Sequence, residues 1–256
     1  GFIALLDRAD DAAPTVGNTL PPLAHWLYFV PHALQRDIDV DGHPHRGDFL
    51  PEVALPRRMW AGGRISFDHA LRIGDTATRR STILSVEAKE GRSGALVFVT
   101  VAHEISHARG LAVREEQDIV YRDHPNATTA AVTPPQARTD EDFSRLVTPD
   151  PVQLFRYSAL TFNGHRIHYD RDYAVKTEGY PGLVVHGPLL ATLLVDHVRR
   201  EYPNAALRSF EFRARRPVYD LAPFTVNLRP TDTGADAWAS DADGFVAMDA
   251  KAEFAR

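Results

Sequence analysis

The stretch YSALTFNGHRIHYDRDYAVKTEGYPGLVVHGPLLATLLVDHVRR, Tyr157 to Arg200, decides how the rest of the chain reads. It crowds three features together: Asn163 five residues ahead of His168, a Gly179-Tyr180-Pro181-Gly182 turn, and His186-Gly187-Pro188 opening an apolar run. Proline suits the first turn of a helix, where its missing N–H costs nothing. Leu189, Leu190, Leu193, Leu194 and Val198 then recur at helical spacing, which predicts a buried helix. Gly187 lets a ligand or another backbone come close to the first N–H groups of that helix. The positive end of the helix dipole favours an oxygen that turns anionic there.

Upstream, residues 2 to 10 suit a short helix. Leu23 to Arg36, with Leu23, Trp26, Leu27, Phe29 and Val30 after Pro21-Pro22, suits a longer one. Asp37 to Pro56 is polar and reads as a surface excursion, the kind of loop that covers a site. His43-Pro44-His45 falls inside it and is read as loop composition. From Arg58 the pattern changes to apolar or β-branched runs at Arg58 to Phe67, Ala77 to Glu87, Ala95 to Ile105 and Ala112 to Tyr121, separated by glycine turns. These predict consecutive antiparallel strands. Asp123 to Gln153 is weakly patterned, carries Pro125, Pro134, Pro135 and Pro149, and reads as a linker. Past the quoted stretch, strands are predicted at Leu207 to Arg215, Pro223 to Arg229, Ala235 to Ala239 and Phe245 to Phe254. Each half therefore runs from helical elements into strands.

The totals exclude several classes. At 256 residues the chain can bury a substantial core, and 44% hydrophobic with 25% charged residues is ordinary for a globular protein. A net charge of −5 argues against general nucleic-acid binding. With no cysteine there is no disulfide, thiolate nucleophile or thiolate metal site, which fits a reducing compartment. The opening GFIALLDRADD is too short an apolar run for a signal peptide, and no run approaches membrane-span length. A cytoplasmic protein is expected, or one of the mitochondrial matrix in a eukaryote, with no membrane partner. Asn126-Ala127-Thr128 matches the glycosylation pattern but is idle without secretion.

Thr161-Phe162-Asn163-Gly164-His165-Arg166-Ile167-His168, followed by His186-Gly187-Pro188-Leu189-Leu190-Ala191, resembles the signature of the MaoC-like hydratases and dehydratases. That signature runs roughly Ser-Gly-Asp-x-Asn-Pro-Ile-His, then His-Gly-x-x-x-Ala. The flanking LPPLAHWLYF, LPRRMWAGGR and EEQDIVYR look like the mesaconyl-CoA and itaconyl-CoA hydratase group, close to the hydroxyacyl-thioester dehydratase type 2 proteins. The resemblance covers nearly the whole chain. It implies an α+β double hotdog, two antiparallel sheets each wrapped around a long helix. Residues 1-125 would form a degenerate N-terminal hotdog shaping the acyl pocket, 126-150 a linker and 151-256 the catalytic hotdog. It further implies water addition across the double bond of an enoyl-CoA thioester, mesaconyl- or itaconyl-CoA giving citramalyl-CoA. No metal or redox cofactor is implied, since coenzyme A enters only as part of the substrate. A homodimer is left open. Two alternatives remain: dehydration of a straight-chain 3-hydroxyacyl thioester, and a thioester-binding module without catalysis.

On this reading His168 is the catalytic base, because a neutral imidazole can take a proton from water near neutral pH. The family's Asp is Asn163 here, which can orient water or bind substrate but cannot exchange a proton. Asp170 is a second acid candidate, better read as the N-cap of a helix beginning near Arg171. The Gly187 N–H is the expected donor to the thioester oxygen. Arg166 and Arg64 are candidate partners for a carboxylate on the acyl group. Arg213, His186 and Val185 complete the expected substrate-binding set. His103-Glu104-Ile105-Ser106-His107 spells a zinc-protease pattern, but on a strand its histidines stand about 13 Å apart. They could not share a zinc bound at about 2.1 Å from each nitrogen. No metal site is expected.

Overall fold

The computed structural model describes residues 1–9, 11, 13–47, 49–91, 94–123 and 134–255. Its organising element is a helix of 15 residues, Gly187–Glu201 (α4 below), in which every side chain from Leu189 through Val198 is buried. A helix buried around its whole circumference is enclosed by the fold, and this one packs against three strands of the sheet.

In chain order the elements are α1 (Phe2–Leu5), β1 (Arg57–Phe67), β2 (Thr78–Gly91), β3 (Gly94–His107), β4 (Gly110–Arg122), β5 (Phe143–Val147), α2 (Pro151–Thr161), α3 (Arg171–Lys176), α4, β6 (Leu207–Ala214), β7 (Phe224–Thr231), β8 (Gly234–Ser240) and β9 (Val246–Phe254). The eight predicted strands are all present. The fold is the expected α+β hotdog, and α4 sits on β7, β8 and β9.

Two details of the double hotdog differ from expectation. The strands form a single nine-stranded antiparallel sheet, ordered β2-β3-β4-β1-β6-β9-β8-β7-β5, rather than two separate ones. The seam is the β1–β6 pairing, where Gly62 faces Arg213 and Gly63 faces Phe212. A Cβ on Gly62 would lie 2.6 Å from the Phe212 carbonyl, so the strands meet here only because the residue has none. The long helix expected over Leu23 to Arg36 is also missing. That segment holds two 3₁₀ turns, Ala24–Leu27 and Gln35–Asp37. Leu23 takes a left-handed φ of 68°, and Pro31 both lacks an N–H and steers Val30 away from helical ψ. Trp26 turns inward instead, meeting the Trp60 ring edge-on at 5.1 Å and Phe212 at 6.5 Å.

The linker expected over 126-150 does not hold at its C-terminal end. Phe143–Val147 forms β5, antiparallel to β7, and Pro151 opens α2 directly afterwards. Residues 126–133, with the Asn126 glycosylation pattern, lie outside the described residues.

One buried charge stands out in the core. Asp196 of α4 is 1% exposed and is held by Arg8 at 3.1 Å, Arg145 at 3.2 Å and Arg200 at 2.8 Å. A lone carboxylate there would carry a large desolvation cost, and the three guanidiniums offset it. No described helix is long and apolar enough to cross a membrane.

Candidate active site

Two elements bring the motif together. Asp150 caps α2, its carboxylate accepting from the Val152 and Gln153 N–H groups, with Pro151 in the first turn. The helix ends at Phe162, whose left-handed φ of 50° swings the chain into the motif. The Asn163 Oδ1 accepts from the His165 N–H at 3.0 Å, an Asx turn that fixes the direction of the next residues. Arg166–His168 then forms one 3₁₀ turn, and Asp170 accepts from the Tyr173 N–H as the cap of α3, as expected.

The segment before α4 runs alongside this turn. The Val184 N–H donates to the Ile167 carbonyl at 3.0 Å, and the His168 Nδ1–H donates to the Val184 carbonyl at 2.7 Å. A carbonyl can only accept, so Nδ1 carries the proton and Nε2 keeps its lone pair. The His168 ring is 7% exposed and stacks on the fully buried His186 ring, with centroids 3.6 Å apart and planes 19° from parallel. The Ser158 Oγ and His186 Nε2 are 2.9 Å apart, which anchors the second ring to α2. Gly187 follows at once as the first residue of α4. Among the described residues its N–H has no acceptor.

The long excursion Asp37 to Pro56 contributes directly. The Arg166 N–H donates to the Asp41 carbonyl at 2.9 Å. Gly42, at φ +92°, approaches so closely that a Cβ would lie 1.8 Å from the Gly164 carbonyl. That docking places the His43 ring 4.1 Å from the His165 ring, which itself meets His168 edge-on at 5.4 Å. Four imidazoles thus stand in file: His43, His165, His168 and His186. His43 Nδ1 is 2.9 Å from Asp41 Oδ2. The ligand-capable atoms of Asp41, His43 and His165 lie within 4.8 Å of one another, but this hydrogen bond already occupies one nitrogen and one oxygen of the set.

Burial governs the protonation of the file. It pushes His168 down to about 4, against the opposing hydrogen bond to Val184. Burial, then the charge of neighbouring His43, pushes His165 down to about 2. His186 and His43 are lowered as well, burial again leading. Burial tends to raise the Asp41 carboxyl, but the hydrogen bonds and charge of His43 outweigh it and hold the group below the usual carboxylate range. All four rings are therefore neutral near pH 7, and His168 presents a free base.

The remaining expected residues divide. Asn163, His168, His186 and Gly187 come together. Val185 is buried and donates its N–H to Val218, serving the frame of the site. Arg64 is taken by Glu116 at 2.9 Å and, through both ends of its fork, by Asp118 at 2.7 and 2.9 Å. Arg166 is taken by Asp170 at 2.7 Å, the Val40 carbonyl at 3.0 Å and the Tyr173 ring at 4.1 Å. Arg213 is exposed on β6. The zinc-protease pattern lies on β3 as expected, its His103 bound to Ser81 and its His107 to the Arg109 N–H. His43 and Ser158 were not expected at the site. His43 arrives from a loop whose docking no local pattern encodes, and Ser158 carried no signal beyond its place on α2.

The family model for hydroxyacyl-thioester dehydratase type 2 matches residues 23–220. A mesaconyl-C(4)-CoA hydratase of Chloroflexus aurantiacus is 50% identical over 94% of this chain and 86% of its own length. The mitochondrial hydroxyacyl-thioester dehydratase type 2 of Schizosaccharomyces pombe is 27% identical over 88% of this chain and 83% of its own. Among solved structures, HtdX of Mycobacterium tuberculosis superposes with a TM-score of 0.70 at 18% identity, covering 98% of this chain and 93% of that one. A MaoC-like dehydratase of Phytophthora capsici also gives 0.70, at 15% identity, over 93% and 84%.

Proposed function

Since the chain belongs to the hydroxyacyl-thioester dehydratase type 2 family, a family of hydro-lyases, we propose that it adds water reversibly across the C=C of a mesaconyl-type CoA thioester to give a citramalyl-CoA. The 50% identical hydratase supports that substrate class. Dehydration of a straight-chain 3-hydroxyacyl thioester, favoured by the 27% identical relative, is the second reading. An assay offering both substrates separates them.

One observation carries the proposal: His168 spends Nδ1 on Val184, and its ring lies against the residue that precedes the helix N-terminus. In the forward direction Nε2 takes a proton from water as the oxygen bonds to the β-carbon. The electron pair of the double bond moves to the α-carbon and the thioester oxygen, forming an enolate. The Gly187 N–H, with the dipole of α4 behind it, stabilises that oxygen; one such donor is worth about 2.7–4 kcal/mol in other enzymes. The imidazolium of His168 then returns its proton to the α-carbon, so one group closes the cycle without the family's Asp. Asn163 has its carbonyl oxygen committed to the His165 N–H. Its role is to shape the turn, leaving only its amide for substrate. The reaction calls for no metal or redox cofactor, and the N-terminal half shapes the acyl pocket through its docked loop.

The test is His168→Ala. Turnover should fall by about 10²–10⁴-fold, the usual worth of a positioned base, while the circular dichroism spectrum is unchanged. Near-normal turnover in a folded variant removes His168 from the chemistry.

A further inference from the structure

A CoA thioester at the C4 carboxyl of mesaconate has a chemical peculiarity. Its free carboxylate sits on the β-carbon itself, the atom that water attacks. Two problems follow for an enzyme acting on it. An anion must be held within one bond of the reacting centre, and its charge repels the incoming hydroxyl. The arginines expected from sequence to meet it do not suit, because Arg64 and Arg166 are already saturated by acidic partners.

Two half-buried guanidiniums have neither an ion pair nor a hydrogen-bond partner among the described residues: Arg58 and Arg122. A guanidinium without an acidic partner keeps its fork free for an anionic ligand. Arg122 faces Arg57 and Tyr219. Arg58 faces the other way. Side chains alternate along a strand, and Arg57 is buried under the Tyr180 ring at 4.7 Å. That leaves Arg58 on the opposite face of β1, two residues before Trp60, whose carbonyl would lie 3.9 Å from a Cβ on Gly187. Its charge is close enough to His43 and His165 to disfavour a proton on either. Asp41, the acid of that corner, is turned onto His43. Arg58 thus stands on the face of the sheet that carries Trp60 and Tyr121, beside the His43 and His165 end of the file.

We propose that Arg58 binds the free carboxylate on the β-carbon of the acyl group, and so selects dicarboxylic over plain enoyl thioesters. This rests on the hydration reading above. The neutral imidazoles beside it add no competing charge. Its fork can take both carboxylate oxygens, fixing the face of the β-carbon presented to water. The cation also offsets the repulsion that the carboxylate exerts on the attacking oxygen.

Two unreactive saturated ligands make the test. 2-Methylsuccinyl-CoA, with the thioester at C4, and isovaleryl-CoA have the same skeleton, with a carboxylate in the first where the second has a methyl. Calorimetric titration of the wild type, Arg58→Gln and Arg58→Lys measures both. Arg58→Gln should weaken 2-methylsuccinyl-CoA by about 10- to 100-fold, the worth of a charge-assisted bond, and leave isovaleryl-CoA unchanged. Arg58→Lys should fall between. The unchanged isovaleryl-CoA affinity doubles as the check on folding. Equal weakening of both ligands would assign Arg58 to the CoA phosphates and overturn the proposal, as would no weakening of either. Wild-type hydration of mesaconyl-C4-CoA is scored separately: its failure defeats the function reading, whereas the ligand contrast judges Arg58 alone.

Discussion

Acidification should destabilise this protein well above the pH at which its carboxylates titrate, and His168 should account for about 2 kcal/mol of the loss at pH 5. Burial holds the folded His168 at about 4, while in the unfolded chain it returns to about 6.5. Between those values the unfolded state binds a proton that the folded state refuses. Stability therefore rises with pH through this window, is complete above the unfolded value, and is lost as pH falls towards the folded one. At pH 5 the unfolded imidazole is almost fully protonated and the folded one about a tenth so, which gives roughly 2 kcal/mol, growing to about 3 kcal/mol below pH 4. His43, His165 and His186 are shifted the same way and steepen the dependence. Urea unfolding at pH 7.5, 6.5, 5.5 and 5.0, compared between wild type and His168→Gln, isolates the residue. The wild type should lose about 2 kcal/mol more than the variant between the two extremes. Parallel profiles would refute the buried neutral imidazole, and with it the claim that Nε2 is a free base at neutral pH.

Three other substitutions test the packing around the site. Gly42→Ala places a Cβ where the Gly164 carbonyl stands. It should lift the loop off the motif and cost about 100-fold in kcat/KM, as small misplacements of a site do, while the melting temperature moves little; unchanged kinetics would show that the loop is not needed. Asp196→Ala strips the partner of Arg8, Arg145 and Arg200 from inside α4. It should destabilise by about 3 kcal/mol in urea unfolding, the low end for a buried pair because the arginines reach solvent. Arg64→Gln should cost under about 1 kcal/mol and leave turnover unchanged, since its guanidinium is held in half-exposed salt bridges to Glu116 and Asp118; a selective loss on dicarboxylic thioesters would reinstate Arg64.

Local patterns were sufficient wherever one element carries its own signal. The run from Leu189 to Val198 is apolar but for Thr192, Asp196 and His197, which predicts an enclosed helix, and Pro188 fixed where it began. Alternation and glycine turns located eight of the nine strands. The ninth, Phe143–Val147, has five residues and sits next to masking prolines, although Asp150-Pro151 was a readable helix start. The missing N-terminal helix shows the opposite failure. Leu23 to Arg36 has apolar residues at suitable intervals, but Pro31 and a left-handed Leu23 break the backbone, and packing of Trp26 on Trp60 and Phe212 decides the rest.

The sequence by itself determined the chemistry available: an imidazole at 168 and a glycine opening a buried helix at 187, both set by short-range motifs. Only the tertiary structure decided which partners those groups meet. That His168 is neutral follows from burial, and that Nε2 is its free nitrogen follows from a carbonyl contributed by Val184, 16 residues on. That His43 joins the file, and that Arg64 is spent while Arg58 is not, follows from β1 lying between β4 and β6 and from a loop docked 122 residues from its contact. Pairing of this kind is set by the whole core closing at once, and no window of the chain encodes it.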